Sequence, residues 1–256
     1  MTEPTIRNIP WYGWKRDIPD QRDYKFIRSI PLTAIAPIYD PRTNSWGVYD
    51  QGQIGSCTAN STLSSFRQLL IREGHGDFNG SRLAQYYWSR YIEGTTKQDA
   101  GAEIRDAVKV LTRWGVAPET DWPYNIAKLT VGPPKKVGDD AKKHTALQYH
   151  SVAQTQADIC AAVVQNGNVI IGFTVYDSFE SDAVAANGIV PMPKSTENVL
   201  GGHAVHVVGY DLSKNWFIVK NSWGVGWGDK GYFYMPIPYL TNPNLSGDFW
   251  TLSLVK

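Results

Sequence analysis

The chain has 256 residues but only two cysteines, Cys57 and Cys160, too few for a disulfide framework, so a hydrophobic core has to hold it together. Charge of one sign is also missing: 25 basic and 24 acidic side chains leave a net charge of +1. Lys and Arg are scattered along the chain, which removes the basic footprint of a nucleic-acid-binding module. No apolar run approaches the length of a bilayer span. Neither nucleic acid nor membrane is therefore an expected partner. The opening Met1-Thr2-Glu3-Pro4-Thr5-Ile6-Arg7 lacks the charged-then-apolar pattern of a secretory signal. With so few cysteines, this makes a cytoplasmic location, or export by a leaderless route, the expectation. Internal repeats and low-complexity tracts are absent as well. Aromatic surface is abundant, with 10 Trp, 14 Tyr and 8 Phe, and it favours a sizeable, well-packed core.

Prolines at positions 4, 10, 19, 31 and 37 disfavour a helix near the start, while Trp11, Tyr12, Trp14 and Tyr24 are too aromatic for a free linker. Residues 1–35 are expected to form an extended arm lying on a body formed by residues 36–256. From Cys57 the pattern turns helical: Leu63, Phe66 and Leu70 recur at three and four, thickened by Leu69 and Ile71, and Gly74 supplies a stop. Further helices are predicted over 81–91 and 102–114, the latter with Ile104, Val108 and Leu111 on one face and Gly115 at its end. The run Val131-Gly132-Pro133-Pro134-Lys135-Lys136 reads as a surface loop. A helix over 156–165 closes at Asn166-Gly167, and strands follow over 169–175, 204–210, 216–220 and 232–235. Helices first and strands afterwards predict an α+β protein, helical over about 50–130 and β-rich over about 145–256.

Cys57 follows the turn-forming Gln51-Gly52-Gln53-Ile54-Gly55-Ser56 and opens a helix, where backbone N–H groups and the helix dipole favour a thiolate. A lone cysteine is otherwise a small buried hydrophobe, which is the reading for Cys160 beside Ile159 and Val163. His203 lies in Gly201-Gly202-His203-Ala204-Val205-His206, at the expected mouth of a strand, where two glycines leave it free to face a cleft. His206, further inside, fits a hydrogen-bonded core histidine. Asn221 follows the apolar run 216–219; it is either a turn residue or an amide that holds an imidazole in one tautomer and direction.

His203 follows Cys57 by 146 residues and Asn221 by 164, close to the spacing of papain and cathepsin cysteine proteases. Gln51-Gly52 with Gly55-Ser56-Cys57, Gly202-His203-Ala204-Val205 with Val208-Gly209-Tyr210, and Asn221-Ser222-Trp223-Gly224 with Trp227-Gly228 together resemble the papain-like peptidases. The resemblance implies a two-subdomain fold, a helical N-terminal part and a β-barrel-like C-terminal part, with the active-site cleft between them. It also implies roles. Cys57 matches the nucleophile, His203 the general acid and base held with it as a thiolate–imidazolium pair, and Asn221 the residue that orients the imidazole. Gln51 matches the side chain that donates to the oxyanion, beside the Cys57 N–H. Trp223 matches the ring that shields the Asn–His bond, and Gly101 and Ala102 lie near the strip that binds substrate as an added strand.

The expected activity is hydrolysis of peptide bonds through a thioester acyl-enzyme, on peptide or protein substrates, by a monomer needing neither cofactor nor metal. A peptidyl transferase using the same residues is an alternative, as is a catalytically silent peptide-binding homologue. Two departures stand out. Ile54 and Thr58 replace the cysteine and the aromatic residue of the C-G-[SA]-C-[WY] signature, so the usual disulfide partner is lost. Gly202 stands where many members carry a polar residue. Family prosegments are typically long and helical; residues 1–35 are too short and proline-rich for that form, but an arm of this composition fits a segment laid across the cleft.

Overall fold

The computed structural model describes residues 12–42, 46–145 and 147–254; Pro4, Pro10 and Trp11 of the expected arm lie outside the described residues. In chain order the elements are β1 (Trp14–Lys15), β2 (Ile38–Tyr39), α1 (Cys57–Arg72), α2 (Arg82–Ile92), β3 (Ala102–Glu103), α3 (Ile104–Arg113), α4 (Lys135–Ala141), β4 (Leu147–Ser151), α5 (Gln156–Asn166), β5 (Val169–Tyr176), α6 (Asp182–Asn187), β6 (Val199–Asp211), β7 (Trp216–Lys220), β8 (Tyr232–Pro236), α7 (Ile237–Thr241) and β9 (Ser246–Leu254). An antiparallel sheet runs β4-β9-β5-β6-β7-β8, with β2 added to β6, and β1 pairs in parallel with β3.

Helix α1 buries Leu63, Phe66 and Leu69 against Ile170 of β5, Ala204 of β6 and Trp250 and Leu252 of β9. That stripe seats the N-terminus of α1, and with it Cys57, against the middle of the sheet. The helix stops where Gly74 takes a positive φ of 79°, as its sequence position predicts. Helix α2 begins as expected at Ser81, whose Oγ accepts the Ala84 N–H, and α5 ends at Gly167 in the left-handed conformation. The other side of the sheet packs an aromatic core in which Trp227 meets Trp223, Phe179 and Phe233 with centroids 5.0, 5.4 and 5.8 Å away.

Four expectations need correction. Residues 102 and 103 are extended, not helical, because the Ala102 N–H donates to Gly13 O; the helix starts only at Ile104. Residues 135 and 136 open α4 instead of continuing a loop, since Pro134 presets the N-cap and Lys135–Asp139 and Lys136–Asp140 pair one turn apart. His203 is not at a strand mouth: β6 begins at Val199 and buries 203–211 on both faces, so it lacks the alternation that would have marked its length. Strands β4 and β9 were not foreseen, and β9 carries Gly247 and a non-glycine positive φ of 58° at Asp248 near its start, which breaks its pattern.

Among the described residues no helix is long and apolar enough to cross a membrane, and no group of three or more His, Cys, Asp and Glu is arranged to hold a metal. Trp227→Ala empties the centre of the aromatic core and is expected to cost about 3–5 kcal/mol, measured by urea unfolding.

Candidate active site

The loop before α1 is laced to the segment after β7. Gln51 N–H donates to Ser222 O at 2.9 Å, Gly224 N–H to Tyr49 O at 2.9 Å, and Ser222 Oγ to Gln51 Oε1 at 2.7 Å. Gln51 Nε2 donates to Ile54 O at 3.0 Å; a carbonyl oxygen only accepts, so this bond fixes the orientation of the amide and leaves Oε1 as the acceptor for Ser222. Tyr124 supports the same loop, donating to Gln51 O at 2.7 Å and meeting Ser56 Oγ at 2.5 Å.

His203 is fully buried on β6, opposite Phe173 of β5. Its Nε2 lies 2.8 Å from Asn221 Oδ1, and that oxygen also accepts the Ser222 backbone N–H at 2.8 Å. A backbone N–H only donates, which fixes Oδ1 as an acceptor and makes His203 Nε2 the proton carrier. Nδ1 is then the basic nitrogen of the neutral ring. Trp223 stacks on the imidazole with centroids 5.0 Å apart and planes at 28°, while Phe173 meets it edge-on at 5.7 Å. Both rings pack against the imidazole. His206 faces the other way, with Nε2 3.3 Å from Gln68 Oε1, and is the core histidine expected.

Cys57 is the first residue of α1, and the backbone N–H groups of Ala204, Gly13 and Thr58 face its sulfur. Ala204 directly follows His203, so α1 and β6 bring together residues far apart in sequence. The thiolate expected from the helix N-terminus is not the resting form. Burial outweighs the three N–H donors and pushes the thiol up to about 11. Gly13, from the chain's own N-terminal segment, is among the groups against that sulfur.

Residues 12–17 run along the cleft. The Tyr12 ring meets His203 edge-on at 5.8 Å, and its hydroxyl donates to Glu180. Gly13 lies so close to Gly55 that a Cβ on it would sit 1.8 Å from Gly55 O. Its carbonyl accepts the Ala102 N–H at 2.8 Å, and Gly101, at φ 70°, has no room for a Cβ beneath that oxygen, which would lie 2.2 Å away. The Trp14 indole fills a slot floored by Gly172 and Gly202, where a Cβ would come within 2.0 and 2.6 Å of the ring. A glycine inside strand β5 is the sequence signal for such a close approach. Trp14 Nε1 donates to Asp248 at 2.9 Å, and Lys15 pairs with Glu93 at 2.7 Å.

Asp17 completes the attachment. It accepts the Arg105 backbone N–H at 3.1 Å and Trp250 Nε1 at 2.7 Å, while its own N–H donates to Asp248 at 2.8 Å. Burial and the neighbouring Asp248 push Asp17 up to about 7, and burial raises Asp248 as well. Sequence reasoning named Cys57, His203, Asn221, Gln51, Trp223, Gly101, Ala102 and Gly202, and all eight lie at this cleft. It missed Ser222, Gly172 and Asp248, whose places depend on what the fold sets beside them.

The model of the papain family cysteine proteases matches residues 36–238, and the chain belongs to that family. A peptidase C1-like protein of Acanthamoeba polyphaga mimivirus is 36% identical over 270 residues, covering 95% of this chain and 87% of that protein. Cysteine proteinase 2 of Entamoeba histolytica is 27% identical over 194 residues, 74% of this chain and 59% of the relative. Among solved structures, xylellain, a cysteine protease from Xylella fastidiosa, superposes with a TM-score of 0.87 at 35% identity over 96% of both chains. Procathepsin L 3 from the larval midgut of Tenebrio molitor, at 23% identity, shares the fold with a TM-score of 0.71 over 95% of this chain and 76% of that one. The protein is accordingly a papain-like cysteine peptidase of α+β fold that hydrolyses peptide bonds in peptide or protein substrates.

Because the raised thiol pKa and the covering arm act together, alkylation of Cys57 by iodoacetamide in the folded chain is expected to be slow at pH 7 and to accelerate as pH rises toward 11. In urea at pH 7 it should react faster. Peptide mass mapping against time checks both, with Cys160, pushed up to about 12 by burial, as the slower internal reference.

Proposed function

We propose that Cys57 is the nucleophile of this peptidase, that His203 is its acid and base, and that residues 12–17 hold the enzyme in a self-inhibited form. When the cleft is open, His203 Nδ1 takes the proton from Cys57 Sγ, and the thiolate attacks the carbonyl carbon of the scissile bond. The resulting oxyanion is met by the Cys57 backbone N–H and by the second hydrogen of Gln51 Nε2. His203 then gives its proton to the leaving amine, and a thioester remains. Water, losing a proton to His203, releases the acyl group and restores the thiol. Asn221 holds the ring throughout, because its Oδ1 is locked as an acceptor by the Ser222 N–H. One chain supplies every group in this scheme, so a monomer suffices.

The observation that carries the inhibitory part is the Gly13 N–H aimed at the Cys57 sulfur. A substrate must offer that sulfur a carbonyl carbon; the arm offers a hydrogen-bond donor, and so covers the nucleophile without being cleaved. Its pairing with Ala102 uses the strip on which substrate would add as a strand. The slot holding Trp14, closed by the Asp248 carboxylate, becomes free for a substrate side chain once the arm leaves.

Deleting residues 1–35, or making Trp14→Ala in the full chain, is expected to raise turnover of a small peptide substrate about tenfold or more, the scale of losing a well-packed aromatic anchor. Unchanged turnover in both, with unaltered circular dichroism, removes the inhibitory role. An epoxysuccinyl peptide reagent should modify Cys57 and leave the Cys57→Ala protein unlabelled; adducts elsewhere, or turnover by Cys57→Ala, refute the nucleophile.

The docked arm should also respond to pH. Asp17 keeps a proton in the cleft that the free arm gives up in the ordinary carboxylate range, so the docked form binds more protons. Raising pH from about 4 to about 7 therefore weakens docking, and above about 7 the loss is complete. The charges facing this pair are Arg105, itself bound to Asp23, together with Arg16 beside Asp248. Turnover of the full chain relative to the arm-deleted chain is expected to climb across that window, and Asp17→Asn should flatten the climb.

A further inference from the structure

We infer that Asp99 is a positioning residue for the oxyanion site, holding the peptide that orients Gln51. Asp99 lies in the segment before β3, remote in sequence from the nucleophile loop, yet its carboxylate accepts the Gly55 N–H through Oδ1 at 3.1 Å and Oδ2 at 2.9 Å. The Gly55 nitrogen belongs to the same peptide unit as the Ile54 carbonyl, which accepts the Gln51 Nε2 proton at 3.0 Å. One rigid plane thus carries the carboxylate on one side and the Gln51 amide on the other. A carboxylate at the N–H end polarises the unit and strengthens its carbonyl as an acceptor, so Asp99 tightens the hold on Gln51 as well as fixing the plane.

Asp99 is itself pinned. Tyr86, from α2, donates to Oδ1 at 2.5 Å, and the same hydroxyl accepts the Gly101 N–H at 2.9 Å. Arg90, fully buried one turn further along α2, lies over the Tyr86 ring at 4.1 Å and donates to Gln98 O at 2.8 Å and to Leu129 O at 2.7 Å. Arg90 therefore holds the backbone next to Asp99, and Tyr86 holds its carboxylate. Through Asp99 and Tyr86 the oxyanion loop at Gly55 and the substrate strip at Gly101 are tied to one helix. Ile54 stands where the family signature has a cysteine, so no disulfide ties this loop, and a hydrogen-bonded carboxylate supplies the constraint instead.

The inference rests on Gln51 and Cys57 being the oxyanion donors, and its test separates the two. Asp99→Ala and Asp99→Asn are made in the full-length Trp14→Ala protein, so that loosening of Gly55 beneath the arm does not mask the effect. Turnover is expressed per site titrated by the epoxysuccinyl reagent. Removing a whole oxyanion donor costs about a hundredfold or more in kcat, so misplacing one through Asp99→Ala is expected to lower kcat per titrated site about tenfold with KM within about threefold. Asp99→Asn keeps an acceptor for Gly55 and should recover to within about threefold of the parent. Tyr86→Phe, which frees Gly101 as well, should raise KM.

A residue that merely supports the fold would lower the titrated fraction and the melting temperature while leaving kcat per site unchanged, and that result in Asp99→Ala overturns the inference. Equal losses in Asp99→Asn and Asp99→Ala overturn it too, because the acceptor would then not be what matters. Loss of about a hundredfold in kcat per titrated site in Gln51→Ala with normal kcat in Asp99→Ala refutes Asp99 alone; unchanged kcat in Gln51→Ala refutes the underlying assignment of the oxyanion donor.

Discussion

The site depends on the seating of one helix end against one strand. The apolar stripe of α1 presses Cys57 onto β6, where the N–H of Ala204, the residue after His203, reaches its sulfur. Hydrophobic burial is non-directional and cannot by itself aim a thiol. The aim comes from backbone hydrogen bonds at the edges of that contact. Gln51 is stitched to Ser222, Gly224 to Tyr49, and Gly55 to Asp99. The nonpolar core supplies the force and the polar borders supply the register.

Burial then works against the chemistry it makes possible. A helix N-terminus lowers a thiol pKa when the sulfur keeps some contact with polar surroundings, but full enclosure raises it more than three N–H groups lower it. The same arm that encloses Cys57 brings Asp17 and Asp248 out of water together, where each disfavours the other's charge. In the proposed closure of this cleft, proton binding is coupled to docking at two places, the thiol and the carboxyl pair. Both favour the closed form while protonated.

The arm lies this deep because side chains are missing beneath it. Gly55, Gly101, Gly172 and Gly202 leave a trough that a Cβ on any of them would narrow, and Gly13 brings a glycine of its own to meet Gly55. Trp14 occupies the widest part, with its one polar atom satisfied by Asp248. A tryptophan buried this way contributes large apolar area without leaving an unpaired N–H. The arrangement is a closely fitted seat built from one bulky residue and several absent ones.

Much of this was legible along the chain. The helix at 57 was announced by a stripe of spacing three and four and by Gly74 at its end, and the helix at 156 by its closing Asn166-Gly167, which are local signals. Cys57, His203, Asn221 and Gln51 were recognisable from motif, order and spacing. Strand β9 was not, because Gly247 and the positive φ of Asp248 break its pattern, and residues 102 and 103 were misread because pairing with the arm overrides their helical neighbours. The amino-acid sequence by itself determined which groups exist for catalysis and which segments become helices, since those depend on residue type and short-range periodicity. Only the tertiary structure decided the protonation of Cys57, the coupling of Asp17 to Asp248 and the tie from Asp99 to Gly55. Each of these arises from burial or from a hydrogen bond between segments distant in sequence, and no local pattern encodes either.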